Sequence, residues 1–439
     1  MTFTMQEAMD FVEENDVKFI RLAFCDIFGV QKNISIMPGE LSRAFSEGIS
    51  FDASAFPGFV HSHESDLMLF PDWRTLAILP WRPAQGKVIR FYCDIRHPDG
   101  RPFEGDARYL LRQAVRRARD MELSCNFGTE CEFYLFERDA NGEPTRIPQD
   151  HAGYCDIAPL DRAENVRRQI CLTLEEMGIQ PERSHHEHGP GQNEIDFKYA
   201  GALAAADNLT TFKAVVKTMA FSNGLFASFL PKPIENKPGN GLHINISLYQ
   251  GGRNIFETGR CAHSETAEAF IAGILSRVRE ITAFLNPLTN SYHRFGHFEA
   301  PRYVTWSHQN RSQLVRIPAA QGEAQRMELR SPDPSANPYI AFALLIHAGL
   351  DGVEQKLTLS EPCNADLFTA PAELCRTLET LPADLGEALA AAQESDFIRR
   401  VLPAETLADY IAVKQHEWEL VRKSSDADRM ENDLYFVRY

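Results

Sequence analysis

The stretch FGTECEFYLF, residues 127–136, alternates polar and apolar side chains with the period of a β-strand. That period places Glu130 and Glu132 side by side on one face of the strand. The opposite face carries Cys131, Phe133 and Leu135. Adjacent carboxylates repel each other unless a cation lies between them. A single pair of this kind is usually an exposed acidic edge, but the apolar and aromatic flanks of this strand argue against exposure.

The stretch HHEHGPGQNEI, residues 185–195, predicts a hairpin that adds two further carboxylates. Its Gly-Pro-Gly turn at 189–191 folds Glu187 back towards Glu194. These glycines lack the G-x-G-x-x-G spacing of a dinucleotide-binding loop, and the chain has no G-x-x-x-x-G-K-[ST] phosphate-binding loop. Any phosphate site must therefore be built in another way.

The stretch GLHINISL, residues 241–248, is a second strictly alternating strand. One face is apolar, and the other carries His243, Asn245 and Ser247. A lone histidine on a strand is more often structural than a ligand. Three successive polar residues on one face favour a functional role.

Two later stretches, NRSQLVRIP (310–318) and QRMELRSPD (325–333), add Glu328 and a set of arginines. The arginines are Arg311, Arg316, Arg326 and Arg330. Five carboxylates and a histidine on polar-faced strands require divalent cations, and such oxygen-rich ligands point to Mg²⁺ or Mn²⁺. Arginine suits anionic phosphate and carboxylate groups. The residues alone thus predict a site with two or three metals for phosphoryl chemistry.

Composition excludes several other classes of protein. The 439 residues include 45 Lys and Arg against 61 Asp and Glu, a net charge of −16 that disfavours nucleic acid as a partner. The longest apolar run, residues 339–350, is too short to span a membrane. The nine cysteines form no C-x-x-C pair, so we expect reduced thiols in a cytoplasmic protein.

The chain changes character at residues 97–105, a polar stretch that contains proline and glycine. Short strands dominate before this stretch, after an opening helix with a Thr4–Glu7 capping box. Helices alternate with polar-faced strands beyond it. The predicted helices are 106–121, 161–177, one around 209–219, 264–285 and one from 338 to 350. We therefore expect two domains, 1–103 and 104–439.

The order of the motifs resembles class I glutamine synthetases from about Val17 to the C-terminus. The motifs are FDASAF, ESDLMLFPD, GTECEF, GYCDIAPLD, HHEHGPGQNEI, GNGLHINISL, NSYHRFGHFEAP, NRSQLVRIP, RMELRSPDPSANPY and AGLDGVEQK. The resemblance implies an α+β fold, with a small N-terminal β-grasp-like domain and a larger catalytic domain whose curved antiparallel sheet is flanked by helices. It also implies ATP, Mg²⁺ or Mn²⁺ (two or three ions per site), and a hexameric or dodecameric ring.

The resemblance assigns a role to each polar residue by its position in these motifs. One cation site corresponds to Glu132, Glu187 and Glu194, and a second to Glu130, His243 and Glu328. Positions that contact the nucleotide or its phosphates are Glu182, Tyr199, Asn245, Ser247, Arg311, Arg316 and Arg326. Positions that contact the acid or amine substrate are Tyr154, Gly239, Arg294 and Arg330.

By the same resemblance, ATP phosphorylates the γ-carboxylate of glutamate and ammonia then attacks the acyl phosphate. Asp52 matches the residue that deprotonates ammonium, and Glu299 matches the glutamate of a flap that closes the site. The flap protects the acyl phosphate from water. Phe368 stands where some relatives carry an adenylylated tyrosine, which argues against that modification.

Three departures from the family pattern concern the acid substrate. Pro238 precedes Gly239 where an asparagine is usual, the flap between Arg294 and Glu299 is one residue shorter, and Asn245 replaces a histidine. Asp52 and Glu299 favour ammonia, whereas the departures favour a γ-glutamyl-amine ligase that uses methylamine, ethanolamine or a polyamine. A catalytically silent sensor or structural relative is a third reading, but it has no reason to retain all six metal ligands.

Overall fold

The computed structural model describes residues 4–60, 65–256 and 263–439. Glu64 of the ESDLMLFPD motif and Cys261 lie outside these ranges. The described cysteines are all free thiols, as the sequence predicts. No helix among the described residues is long and apolar enough to cross a membrane.

The N-terminal part of the chain is a six-stranded sheet with the strand order β2-β1-β6-β4-β3, and β5 pairs with β6. The strands are β1 (Val17–Cys25), β2 (Gln31–Ile36), β3 (Ile49–Asp52), β4 (Asp66–Pro71), β5 (Ala77–Ile78) and β6 (Lys87–Arg96). Helix α1 (Met5–Glu14) precedes the sheet and begins with the predicted Thr4–Glu7 capping box. Strands β1 and β6 are parallel, so residues far apart in sequence become neighbours.

The second sheet has eleven strands and carries the polar-faced stretches. Its main path is β15-β16-β17-β13-β7-β10-β9. The strands are β7 (Leu123–Arg138), β8 (Pro144–Pro148), β9 (Pro181–His186), β10 (Gln192–Phe197), β11 (Ala200–Gly201), β12 (Leu225–Ser228), β13 (Leu242–Gln250), β14 (Arg253–Asn254), β15 (Trp306–His308), β16 (Val315–Ile317) and β17 (Met327–Leu329). Apart from the parallel pair β15 and β16, neighbouring strands are antiparallel.

Helices flank this second sheet and bury its apolar face. The helices that follow α1 in the described chain are α2 (Leu41–Ser46), α3 (Ala107–Asp120), α4 (Glu164–Glu176), α5 (Ala202–Ser222), α6 (Glu265–Leu285), α7 (Pro338–Gln355), α8 (Ala372–Cys375), α9 (Leu385–Glu394), α10 (Asp396–Val401), α11 (Ala404–Lys423) and α12 (Ala427–Tyr435). Helices α3, α4 and α5 pack directly against strands of the second sheet. In α7, Asn337 caps the first turn and Pro338 occupies a position where its missing N–H is harmless. Of these, α2 belongs to the N-terminal part of the chain.

Helix α4 begins at Glu164, three residues later than the predicted start at Asp161. Asp161 is buried and its carboxylate accepts two hydrogen bonds from the Arg167 guanidinium. The same carboxylate accepts the backbone N–H of Ala163 at 2.8 Å. Asp161 therefore fixes the loop in front of the helix rather than its first turn.

A buried ionic cluster joins the two sheets. Arg108 of α3 contacts Asp94 of β6 at 2.7 Å and Asp207 of α5 at 2.9 Å. Arg108 also contacts Asp72, just after β4, at 3.0 Å. Because these carboxylates come from both halves of the chain, a single guanidinium helps to fix the N-terminal sheet against the helices of the second sheet.

Candidate active site

The carboxylates of the second sheet gather where β7 lies between β13 and β10. Glu130 of β7 is opposite His243 of β13 on one side and Asp196 of β10 on the other. Glu132 is opposite Glu194 of β10. The alternation read from the sequence therefore does bring the acidic side chains of β7 and β10 and the imidazole of β13 onto one face, while Cys131 and Phe133 are fully buried on the other.

One ligand cluster consists of Glu130, His243 and Glu328, whose ligand atoms all lie within 4.8 Å of one another. His243 Nδ1 is 3.2 Å from Glu130 Oε2 and 3.7 Å from Glu328 Oε1. Burial opposes ionisation of Glu130, but the hydrogen bond and charge of His243, the Asn245 hydrogen bond and the charge of Arg183 together outweigh it and lower the pKa of Glu130 to about 2. This carboxylate is therefore ionised at neutral pH.

A second ligand cluster consists of His185, Glu187 and Glu194, again with all ligand atoms within 4.8 Å. His185 Nε2 donates to Glu187 Oε1 at 2.9 Å. His185 was missed by the sequence analysis. The signal was present, because residues two apart on a strand share a face and His185 is two residues before Glu187.

Glu132 lies beside this second cluster and belongs to its electrostatic environment. Its Oε2 accepts the Gly241 N–H at 2.8 Å and the Gln192 amide at 3.1 Å. Burial and the Glu187 carboxylate raise the pKa of Glu132 to about 7. Burial and neighbouring carboxylates also raise the pKa of Glu194 well above its usual value. The cluster thus has the excess negative potential that a cation relieves.

Asp196 is a further acid on this face that the sequence analysis missed. It is 3% exposed and its Oδ2 lies 2.7 Å from Arg183, while its Oδ1 is buried without a hydrogen-bond partner. Burial and the Glu130 carboxylate raise the pKa of Asp196, against the effect of Arg183. Asp196 could have been predicted from the sequence, because it is two residues after Glu194 on β10 and residues two apart on a strand share a face.

Three of the predicted arginines lie against the first cluster. Arg316 and Arg330 both donate to the carboxylate of Glu328. Burial opposes ionisation of Glu328, but the charges of Arg330, His243 and Arg316 together outweigh it and lower the pKa of Glu328. Arg326 Nε donates to Asn245 Oδ1 at 2.8 Å, and Asn245 in turn donates to Glu130 at 3.2 Å. A buried network therefore connects the arginines to the carboxylates.

Arg294 and Gly239 lie together at the start of β13. Arg294 is 3% exposed, and it donates to the Ser331 carbonyl at 2.9 Å. A Cβ atom on Gly239 would lie 2.4 Å from the Pro231 carbonyl oxygen and 2.7 Å from the Arg294 side chain, so only glycine fits. Gly239 thereby allows Arg294 to approach the β13 strand.

The predicted flap residue Glu299 lies at the mouth of the site. Glu299 and the preceding Phe298 both have positive φ angles, 66° and 48°, which is rare for residues with a side chain. The Glu299 carboxylate is 3.8 Å from Arg330 and 3.9 Å from Arg311. Glu299 is half exposed, so this strained turn presents a carboxylate to the arginines from the solvent side.

Tyr154 stacks on His188 with ring centroids 4.6 Å apart and meets His185 edge-on at 5.3 Å, which places it beside the second cluster. Ser247 follows Asn245 on the same buried face of β13. Tyr199 is 52% exposed next to Gly128, and Glu182 is exposed on β9. Among the described residues, these last two side chains form no hydrogen bond or ion pair with either cluster.

Asp52 is the one predicted catalytic residue that the fold keeps apart from the clusters. It ends β3 of the N-terminal sheet, and its Oδ1 accepts the Ser54 N–H at 3.0 Å and the Ser54 hydroxyl at 2.6 Å. Within the described ranges, no residue of either cluster is among its hydrogen-bond or ion-pair partners. Asp52 thus belongs to the other sheet and has no polar contact with either cluster within the described chain.

The donor set fits hard divalent cations. Most of the available ligand atoms are carboxylate oxygens, with one imidazole in each cluster. No described cysteine belongs to either cluster, which argues against a soft metal. The unpartnered Asp196 oxygen and the raised pKa of Glu194 are both consistent with a site built to hold positive charge.

Comparison with known proteins gives family and sequence matches that together cover nearly the whole chain. Residues 104–433 match the family model for the glutamine synthetase catalytic domain, and residues 16–98 match that for the glutamine synthetase β-grasp domain. A glutamine synthetase from Clostridium saccharobutylicum is 45% identical over 98% of this chain and 99% of its own length. One from Methanosarcina mazei is 46% identical over 95% of this chain and 94% of its own length.

Two solved structures are similar to the chain over nearly its whole length. A GmaS/ADP complex superposes with a TM-score of 0.87 at 30% identity, covering 99% of this chain and 100% of that one. The Plasmodium falciparum glutamine synthetase has the same TM-score, 0.87, at 23% identity, over 97% of this chain and 98% of that one, and so supports the fold. The fold is the expected α+β arrangement of a β-grasp domain and a larger sheet flanked by helices. The chain therefore belongs to the glutamine synthetase family.

Proposed function

We propose that the chain ligates ammonia to the γ-carboxylate of glutamate at the expense of ATP, forming glutamine, ADP and phosphate. The observation that carries this proposal is the pair of adjacent ligand clusters, in a chain 45% identical to a glutamine synthetase over nearly its whole length. The γ-carboxylate oxygen attacks the terminal phosphorus of ATP and ADP leaves. Ammonia then attacks the acyl carbon and phosphate leaves.

Divalent cations, Mg²⁺ or Mn²⁺, would supply charge neutralisation for the phosphates and the acyl phosphate. We assign one cation to Glu132, Glu187 and Glu194, with His185 and Asp196 as supporting groups. We assign a second to Glu130, His243 and Glu328. Ligand atoms within 4.8 Å of one another in Glu187, Glu194 and His185, and in Glu130, His243 and Glu328, support the two assignments. Glu132 joins the first of them because the Glu187 carboxylate raises its pKa, as a neighbouring carboxylate does when no cation lies between.

The arginines and polar residues around the clusters would bind the phosphates and the acid substrate. Arg311, Arg316 and Arg326 suit the transferring phosphate, with Asn245, Ser247, Glu182 and Tyr199 on the nucleotide side. Arg294 and Arg330 suit the substrate carboxylate beside Gly239. The network that ties Arg316 and Arg330 to Glu328 supports this arrangement, because it places the anion-binding groups against the first cluster.

Proton transfer would involve the groups at the mouth of the site. We assign the deprotonation of ammonium to Asp52, with Tyr154 lining the amine position near Glu187. Glu299 would close the site and accept the second proton released as the amide forms. Because Asp52 lies in the other sheet without a polar contact to the clusters in the described residues, we propose that a neighbouring subunit of a ring supplies it. We also propose a domain boundary at residues 103/104 and a cytoplasmic location, the latter supported by the free thiols.

Replacing Glu132 with glutamine should abolish activity and weaken metal-dependent stabilisation. Wild-type protein at a free Mn²⁺ concentration of about 100 times Kd should gain about 2.7 kcal/mol of stability, because the cation binds only the folded chain. E132Q should lose most of this gain, and its turnover should fall by roughly 100-fold or more. Thermal melts with and without Mn²⁺, together with an assay of glutamine formed, measure both effects.

The matched control for this experiment is Glu137→Gln, an exposed glutamate on the same strand β7. E137Q should keep the Mn²⁺-dependent rise in melting temperature and the wild-type rate. A rise in E132Q equal to that of wild type would remove Glu132 from the cation site.

A further inference from the structure

Three arginines line one cavity between the N-terminal sheet and the helices of the second sheet. The cavity measures about 260 Å³, and its lining includes Arg21, Arg82 and Arg90. None of the three has a carboxylate within the 4.0 Å ion-pair distance in the part of the chain that the structure describes. This is an unusual concentration of positive charge in a protein with a net charge of −16.

The sheet register forces two of these arginines together. Arg21 of β1 and Arg90 of β6 are direct cross-strand neighbours in the parallel pair. Like charges directly opposite each other on one face destabilise a sheet. Burial and the charge of Arg82 lower the pKa of Arg21. The fold therefore holds three cations together at a cost in stability that no described anionic side chain offsets.

Arg90 is the deepest of the three and has unused hydrogen-bonding capacity. It is 7% exposed, its Nη1 donates to Thr211 Oγ1 of α5 at 2.8 Å, and its guanidinium stacks on the Tyr92 ring at 3.8 Å. Its Nε is buried without a partner. A buried guanidinium N–H normally has an acceptor, so this group marks an incomplete site.

The nearest acid on the facing helix is already engaged. Asp207 lies one turn before Thr211 on α5, but its carboxylate accepts hydrogen bonds from Arg108 and from the Tyr339 hydroxyl. The cavity wall is completed by Trp81, by polar Gln31 and by small residues of α5. An anion in this cavity has to come from outside the chain.

We propose that this cavity binds a small dianion, either a phosphate or a dicarboxylate, between Arg21, Arg82 and Arg90. Guanidinium groups bind both kinds of anion through paired hydrogen bonds. The volume admits a metabolite-sized molecule rather than a nucleotide. Because Arg90 already reaches α5 through Thr211, the bound anion would tie the N-terminal sheet to the larger domain, away from the ligand clusters.

The test uses inorganic phosphate and succinate as probes, with acetate as a monoanion control, in isothermal titration of the whole protein. Arg21→Gln and Arg82→Gln are made singly and together, because these side chains are less buried than Arg90 and their loss also relieves repulsion. Arg43→Gln is the matched control, an exposed arginine of the same domain paired with Glu40 at 2.8 Å. Arg316→Gln removes an arginine of the proposed phosphate subsite near Glu328.

We expect wild-type protein, R43Q and R316Q to bind one phosphate or one succinate per chain at the cavity, with acetate much weaker. Each single cavity variant should raise Kd for the dianion by about tenfold or more, and R21Q/R82Q should lose that class of site. Without added anion, R21Q should melt at or above the wild-type temperature. The stronger probe identifies the ligand class. Unchanged titrations in folded R21Q/R82Q, or the absence of any dianion site in R316Q, would overturn the proposal.

Discussion

Glu328→Ala and Asp52→Ala chains should each be inactive alone yet regain about a quarter of the wild-type activity when they are denatured, mixed equally and refolded together. The fraction follows from chance. If a site takes Asp52 from one subunit and Glu328 from the next, each residue is intact in half of the subunits. The structural reason for this expectation is that Asp52 lies in the N-terminal sheet and, among the described residues, its side chain hydrogen-bonds only to its neighbour Ser54.

The control for the mixing experiment is a refolded mixture of Glu328→Ala with Glu130→Ala. Both substitutions fall in the same cluster and hence in one chain, so no pairing of subunits restores an intact site. This mixture should stay at background. Mixed rings of D52A and E328A that also stay at background would show that each chain builds its site alone.

Glu299→Ala should separate ADP release from amide formation. Its carboxylate lies at the mouth of the site, 3.8 Å from Arg330, so its loss should leave ATP binding nearly intact. Amide formation should fall by about 100-fold as the proton acceptor is removed, while water hydrolyses the unprotected acyl phosphate. The measurement is the ratio of glutamine formed to ADP released.

His297→Ala is the control for the flap, since His297 is an exposed side chain in the same turn. It should keep the wild-type ratio of products. A wild-type ratio in E299A would exclude Glu299 from the reaction, whatever its effect on the overall rate.

Local alternation was enough to predict which faces of the central strands carry the acids. Glu130 and Glu132 on β7 and His243 on β13 lie on the polar face that period two assigns to them. The resemblance to a family then supplied roles that spacing alone could not. The same period-two pattern also indicates His185 and Asp196, because each is two residues from a predicted acidic ligand. Neither was predicted as a site residue.

Other features depend on pairings between distant segments and have no local signal. The contact of Arg316 with Glu328 needs the β16–β17 register, whereas the period-two spacing of Glu328 and Arg330 did indicate their shared face. The Arg21–Arg90 pair arises only because β1 and β6 are parallel neighbours. Helix α4 begins later than the sequence predicts because Asp161 forms a buried ion pair with Arg167 rather than a helix cap. In each case tertiary contacts, not propensity, decide the outcome.

The most direct test of the proposed function is a panel of amines assayed with glutamate and ATP. Glutamine or substituted amide and ADP are measured together for ammonia, methylamine, ethanolamine and putrescine. The proposed function predicts that kcat/KM for ammonia exceeds that for each organic amine by roughly tenfold or more, with one ADP released per amide formed. An organic amine used with a higher kcat/KM than ammonia, or ADP release that does not depend on glutamate, would contradict it.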